Sequence, residues 1–145
     1  MAEIRECSME DFPAVIGLLE QLWPDRDLYR EGMRRAFQRG LDSDNQHYIC
    51  AVEGNQVVAF GTMTIVNSMW QQGYVGNIDE FVVDEGCRGR GIGGMLLEHL
   101  VDIAGINACK TVTVESALHR DSAHRFYETR GYERKGLVFI KEIGD

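Results

Sequence analysis

A chain of 145 residues has the length of one domain, and with 44% hydrophobic residues it can fill one core. Its formal net charge of −8 sets its surface against nucleic acid and anionic membranes and suits a cationic partner such as an amine. It has no run of 18 apolar residues, so no segment is expected to span a membrane.

In chain order, Ile4 to Cys7 is a short strand candidate. Ser8 then stands three residues before Asp11, a variant of the capping box. Phe12, Val15, Ile16, Leu19 and Leu22 follow at helical spacing, and Pro24 lies where that helix must stop. A weaker helix is expected from Leu28 to Arg39, with Gly40 as its C-terminal stop. The period then changes. His47 to Val52 and Gln56 to Val66 are apolar and β-branched, joined by the Glu53-Gly54-Asn55 turn, and Tyr74 to Val83 follows the Gln71-Gln72-Gly73 turn. These three segments read as an antiparallel meander. A helical stripe returns with Ile92, Leu96, Leu100 and Ile103. After it come a strand, Thr111 to Glu115, a helix from Ser122 to Arg130, and two strands, Tyr132 to Arg134 and Leu137 to Glu142. The order β-α-α-β-β-β-α-β-α-β-β is an α+β arrangement in a single domain, residues 1–145.

Met1 to Asp11 carries three glutamates and an aspartate rather than the basic start and apolar core of a secretory leader, so a cytoplasmic location is expected. Cys7, Cys50, Cys87 and Cys109 are irregularly spaced with no C-x-x-C pair, which points to four free thiols and no metal site.

Chemistry concentrates in Val83 to Gly94. Glycines at 86, 89, 91, 93 and 94 let the backbone turn tightly and approach a ligand, and the helix that begins here offers unpaired N–H groups and the positive end of its dipole. Arg88 and Arg90 add positive charge. The segment is a candidate phosphate cradle; the bland alternative is a glycine-rich turn without a ligand. Gly89, Gly91 and Gly94 formally satisfy G-x-G-x-x-G, but five residues separate the strand from the loop. Only 51 residues follow Gly94, too few for a dinucleotide fold. No Gly-Lys-Ser/Thr occurs, which excludes a P-loop.

Arg88-x-x-Gly91-x-Gly93 resembles the acyl-coenzyme A signature of the GNAT N-acetyltransferase superfamily. Ala123-His124-Arg125-Phe126-Tyr127 through Gly131-Tyr132 resembles that family's Ala-x-x-Phe-Tyr-x-x-x-Gly-Phe segment. The element order is similar throughout, and within the family the chain looks nearest to aminoalkylphosphonate N-acetyltransferases. Glucosamine-phosphate acetyltransferases share the Ile78 to Val83 pattern. The resemblance implies a mixed sheet with helices on both faces and a splayed cofactor cleft between its fourth and fifth strands. It further implies acetyl-coenzyme A as co-substrate, a small primary amine as acceptor, and a homodimer. Cofactor contacts are implied at Phe81, Val82 and Val83, at Arg88, Gly89, Arg90, Gly91, Ile92, Gly93 and Gly94, and at Ser122, Phe126 and Tyr127. Tyr127 aligns with the tyrosine that protonates the thiolate.

For the base, Asp79 and Glu80 are the candidates. Many relatives carry glutamate where this chain has Asn77, which cannot act as a base. If side chains alternate along the strand, only one of the two acids faces the thioester, and parity with position 77 favours Asp79. The alternative is that both are structural. Arg34, Arg35 and Arg39 are candidates for an anionic substrate group, or else a solvated helix face. His119 and His124 are candidates for acid–base or metal roles. Met69 and Trp70 are candidates for a lid or a dimer contact. Two other functions remain open: a non-catalytic acyl-coenzyme A sensor on the same fold, and an acetyltransferase for a protein or peptide amine.

Overall fold

The computed structural model describes residues 1–144 and divides into two compact units, Met1–Thr113 and the residues from Val114 onward. In the first unit, strand β1 (Glu3–Glu6) leads through a 3-10 turn into helix α1 (Phe12–Leu22). The Asp11 carboxylate fixes this entry. It accepts from the Ser8 N–H at 2.8 Å and from two Arg5 nitrogens at 2.8 and 2.9 Å. Helix α2 (Arg30–Leu41) follows, and then three long strands, β2 (Gln46–Glu53), β3 (Gln56–Ser68) and β4 (Gly73–Val83). Helix α3 (Ile92–Ile106) crosses to β5 (Cys109–Val114).

The sheet order is β1-β2-β3-β4-β5, with β1 to β4 antiparallel in sequence. Gly73 lies against Lys110, and the Thr113 hydroxyl donates to the Asn77 side-chain oxygen. Both partners advance together along the chain, so β5 runs parallel to β4. With Asn77 beside Thr113 and β5 ending at Val114, residues 79–83 of β4 continue past the end of β5, and the seam between the two strands opens there.

Each face of this sheet has its own helical cover, because the apolar stripes of the helices must bury against something. Phe12, Val15, Ile16, Leu19 and Phe37 of α1 and α2 pack with Cys50, Phe60 and Val82. On the other face Leu96 and Leu100 of α3 meet Gly61, and Ala104 lies at Gly76 and Met63. Glycine is required at position 40 of α2, where an added Cβ would run into the ring of Tyr48. Gly40→Ala is therefore expected to lower stability by about 1–3 kcal/mol through overpacking, measurable by denaturant titration.

The second unit holds helix α4 (Asp121–Glu128). The two strands expected at Tyr132 to Arg134 and Leu137 to Glu142 do not form. Alternating apolar residues define a face, but only a hydrogen-bonded neighbour makes a strand. Among the described residues the unit that begins at Val114 supplies no second strand for them to pair with, and Leu137, Phe139 and Ile140 stay 68%, 90% and 83% exposed. Arg134 instead turns back to Glu128, with Nε donating to a carboxylate oxygen at 3.1 Å.

Candidate active site

The glycine segment adopts the geometry a phosphate cradle needs. Gly89 and Gly91 have φ of +80° and +81°, a left-handed conformation that strains any L side chain, and an added Cβ at either would meet nothing within 4 Å. Gly91 is the N-cap of α3 and supplies no capping side chain. The first bond inside the helix runs from the Met95 N–H to the Gly91 carbonyl at 3.1 Å, so the N–H groups of Ile92, Gly93 and Gly94 have no acceptor within the helix. Open space before uncapped donors fits a diphosphate. The side chains divide the work differently from the sequence expectation. Ile92 is buried in the core and offers only its main chain. Arg88 Nε donates to the Val83 carbonyl at 3.1 Å, and the Arg90 guanidinium is ion-paired with both carboxylate oxygens of Glu53 in the β2–β3 hairpin. Arg90 therefore holds the hairpin to the cradle, and its charge is already balanced.

Gln21, which no sequence motif singles out, fastens the approach to the cradle. Its Nε2 donates to Asp84 at 2.9 Å and its Oε1 accepts from the Glu85 N–H at 2.9 Å. The Asp84 carboxylate also accepts from the Gly86 N–H at 3.0 Å. The hydrogen bond from Gln21 leads in holding the Asp84 carboxyl below its ordinary range.

On the α1/α2 side of the sheet lies a cavity of about 460 Å³, within the range typical for small-molecule sites. Phe12, Val15, Leu19, Trp23, Met33 and Phe37 form its helical wall, Tyr48 and Phe60 its sheet wall, and Glu80 and Arg26 are its charged members. Glu80 reaches it because β4 does not alternate regularly. Thr62 pairs with Glu80 and Met63 with Ile78, which leaves Asp79 as an extra, bulged residue. Alternation had implied that Asp79 and Glu80 face opposite sides, and the bulge overturns this. Thr62 and Thr64 share one face of β3. Thr62 Oγ1 donates to Glu80 at 2.6 Å and Thr64 Oγ1 donates to Asp79 at 2.7 Å. Both acids therefore lie on the same face as Tyr48 and Phe60.

Their surroundings differ. Asp79 is exposed and also accepts from Asn77 Nδ2 at 2.9 Å, and Asn77 in turn accepts from Thr113. Glu80 is half-buried. Burial pushes its carboxyl above the ordinary range, the Thr62 hydrogen bond offsets part of that, and the nearby Asp79 charge adds to it. The two acids are thus a hydrogen-bonded surface carboxylate and a desolvated one at the cavity. A desolvated carboxyl with a raised pKa at a cavity is a frequent mark of acid–base chemistry. On the same strand, Phe81 turns toward Gly61 and the α3 side, and Val82 is buried among α1 residues, so both offer a ligand only their main chain.

Within the second unit, Tyr127 is buried in α4 against the rings of Phe126 and Tyr132, at 5.4 and 5.8 Å between centroids. Burial pushes its phenol up to about 12. Ser122 is exposed in the first turn of the same helix. His124 Nε2 lies 2.9 Å from the Ala117 carbonyl, a local bond that ties the helix to the loop before it, and His119 is exposed in that loop. Met69 and Trp70 are 90% and 88% exposed at the β3–β4 turn. Among the described residues one cluster, Cys7, Asp11 and Cys50, is close enough to share a metal ion, but the Arg5 guanidinium already occupies its carboxylate.

Comparison with known proteins gives this geometry its context. The acetyltransferase (GNAT) family profile matches residues 1–132. An aminoalkylphosphonate N-acetyltransferase of Salmonella typhimurium is 27% identical over 143 residues, covering 99% of this chain and 92% of that one. Glucosamine 6-phosphate N-acetyltransferase 1 of Oryza sativa is 29% identical, covering 92% of this chain and 82% of that one. Among solved structures, glucosamine-6-phosphate N-acetyltransferase from Arabidopsis thaliana superposes with a TM-score of 0.83 at 24% identity over 99% of each chain, a likeness of fold. No helix among the described residues is long and apolar enough to cross a membrane. Because the family match takes in the bulged strand, the glycine turn and the Phe126-Tyr127 helix alike, the chain belongs to the GNAT family of acetyltransferases.

Proposed function

We propose that this protein transfers the acetyl group of acetyl-coenzyme A to the primary amine of a small molecule seated in the cavity beneath α1 and α2. One observation carries the reading: β4 bears a desolvated carboxyl at that cavity, Glu80, and leads directly into an uncapped, glycine-lined helix N-terminus. Acceptor and donor sites thus sit at one strand end. The relatives' names make aminoalkylphosphonates and amino sugars the first acceptors to try.

Acetyl-coenzyme A supplies a thioester when bound. The main-chain N–H groups from Arg88 to Gly94 hold its diphosphate, and the edge of β4 near Phe81, Val82 and Val83 holds its arm. An alkylammonium has a pKa near that of lysine, about 10.4, so the acceptor arrives protonated at neutral pH. Glu80 removes that proton, directly or through water, with Thr62 fixing its carboxylate. A main-chain N–H near Val82 or Val83 faces the negative charge that develops on the acyl oxygen. Tyr127 gives its phenolic proton to the departing thiolate, and burial keeps that phenol protonated across the working pH range.

A thiol-release assay with a panel of small amines tests the reading. In that assay Tyr127→Phe is expected to lower kcat by about a hundredfold or more, while acetyl-coenzyme A affinity changes far less. Tight cofactor binding with no thiol release from any amine would mark the protein as a sensor instead.

A further inference from the structure

We propose that Arg26, Arg30 and Arg34 form an anion-binding subsite at the rim of the acceptor cavity, which selects amines carrying a phosphonate or phosphate group. The proposal rests on the acceptor reading above and adds the charge of the substrate.

Arg26 lines the cavity directly. Arg30 and Arg34 project from the first turns of α2 over the ring of Phe12, itself a cavity wall, with guanidinium carbons 5.5 and 6.0 Å from its centroid. A guanidinium held over a ring at this distance still has N–H groups to offer an oxyanion. Among the described residues none of the three forms an ion pair with a carboxylate, although Asp25 and Asp27 flank Arg26 in sequence and the chain has 23 acidic residues. Arg35, on the same helix, does pair with Glu31 at 4.0 Å and lies over the Tyr29 ring instead, 6.0 Å from its centroid. Nor does helix stability account for Arg30, since a cation at the first position of α2 opposes the helix dipole. One cation in the cavity lining and two more over the ring of its Phe12 wall, none paired with a carboxylate, supply the charge for a doubly charged tetrahedral head group. Glu80, the other charged member of the cavity, is left to meet the amine.

The test compares 2-aminoethylphosphonate, β-alanine and ethanolamine, which share an amine and a two-carbon spacer but end in a dianion, a monoanion and a neutral group. For the wild type, kcat/KM is expected to fall in that order, with the phosphonate favoured over the neutral amine by a hundredfold or more, about the worth of two charge-assisted hydrogen bonds. Arg30→Gln and Arg34→Gln are each expected to reduce that ratio by about tenfold to a hundredfold, chiefly through KM. Arg35→Gln, the same charge change on the same helix, is expected to leave the ratio in place. Methylphosphonate, which has no amine, is expected to raise the melting temperature of the wild type and not of the Arg30→Gln/Arg34→Gln double variant. Acetylation of ethanolamine as fast as of the phosphonate would overturn the subsite and leave the acetyltransferase reading standing. Protection by methylphosphonate without acetylation of any amine would uphold the subsite and sink that reading.

Discussion

Glu80→Gln is expected to lower kcat by about two to four orders of magnitude and to remove the carboxyl's step from the pH profile of kcat/KM, leaving only the rise that follows the neutral amine. A carboxyl accepts a proton only when ionised, and burial holds Glu80 above the ordinary glutamate range. The wild-type rate should therefore climb with pH through an apparent pKa higher than that of a free glutamate, and a glutamine has no such step. Stability should move the opposite way. With its folded pKa raised, Glu80 favours the folded state most fully below its unfolded pKa, and that contribution is lost as pH rises through the folded value. The variant should match or exceed the wild type in melting temperature at pH 7.5, with the advantage disappearing in acid. Glutamine keeps an oxygen for the Thr62 hydroxyl, so the local hydrogen bond survives. A slower enzyme that is no less stable separates a proton acceptor from a packing residue. If Asp79→Asn removes the carboxyl's step and Glu80→Gln does not, the role belongs to Asp79.

Gly91→Asp should raise the dissociation constant for acetyl-coenzyme A by roughly a thousandfold, as read by calorimetry. A carboxylate about 4 Å from a phosphate charge at an effective dielectric of 20 costs about 4 kcal/mol, which is that factor. The substitution also forces an L side chain into the left-handed region at φ +81°, a further 1–2 kcal/mol or so of strain. Gly91→Ala isolates the second effect. Its Cβ meets nothing within 4 Å, so the expected result is a modest loss of stability and a much smaller loss of affinity. Undiminished affinity in Gly91→Asp would mean that the diphosphate binds elsewhere.

The parts of this architecture that were legible in the sequence were those with local causes. The glycine turn announces itself because left-handed backbone and close ligand approach both demand residues without a Cβ. The stripe Ile92, Leu96, Leu100 survives because a helix carries its own hydrogen bonds. The misread parts depend on partners distant in sequence. Whether Leu137 to Glu142 becomes a strand depends on a neighbouring backbone, and apolar alternation there left Phe139 and Ile140 exposed. The bulge is invisible for the same reason: Asn77, Asp79 and Glu80 read as an ordinary strand until Thr62 and Met63 are set opposite them. The cavity wall is drawn from Phe12, Trp23, Met33, Tyr48 and Phe60, residues whose type suits any core, and Gln21 is a common surface residue of a helix.

The supernumerary residue at position 79 also governs which changes in chain length the protein can absorb. Substitutions there alter one surface carboxylate, and removing the residue would leave Ile78 and Glu80 as consecutive partners of Met63 and Thr62, an unbroken ladder. Glu80, Phe81 and Val82 would keep the faces they hold now, whereas removing Ile78 or Phe81 instead would shift the side-chain alternation of the residues around it. Position 79 is thus the one place in β4 where the chain can lose a residue without readdressing the two faces of the sheet.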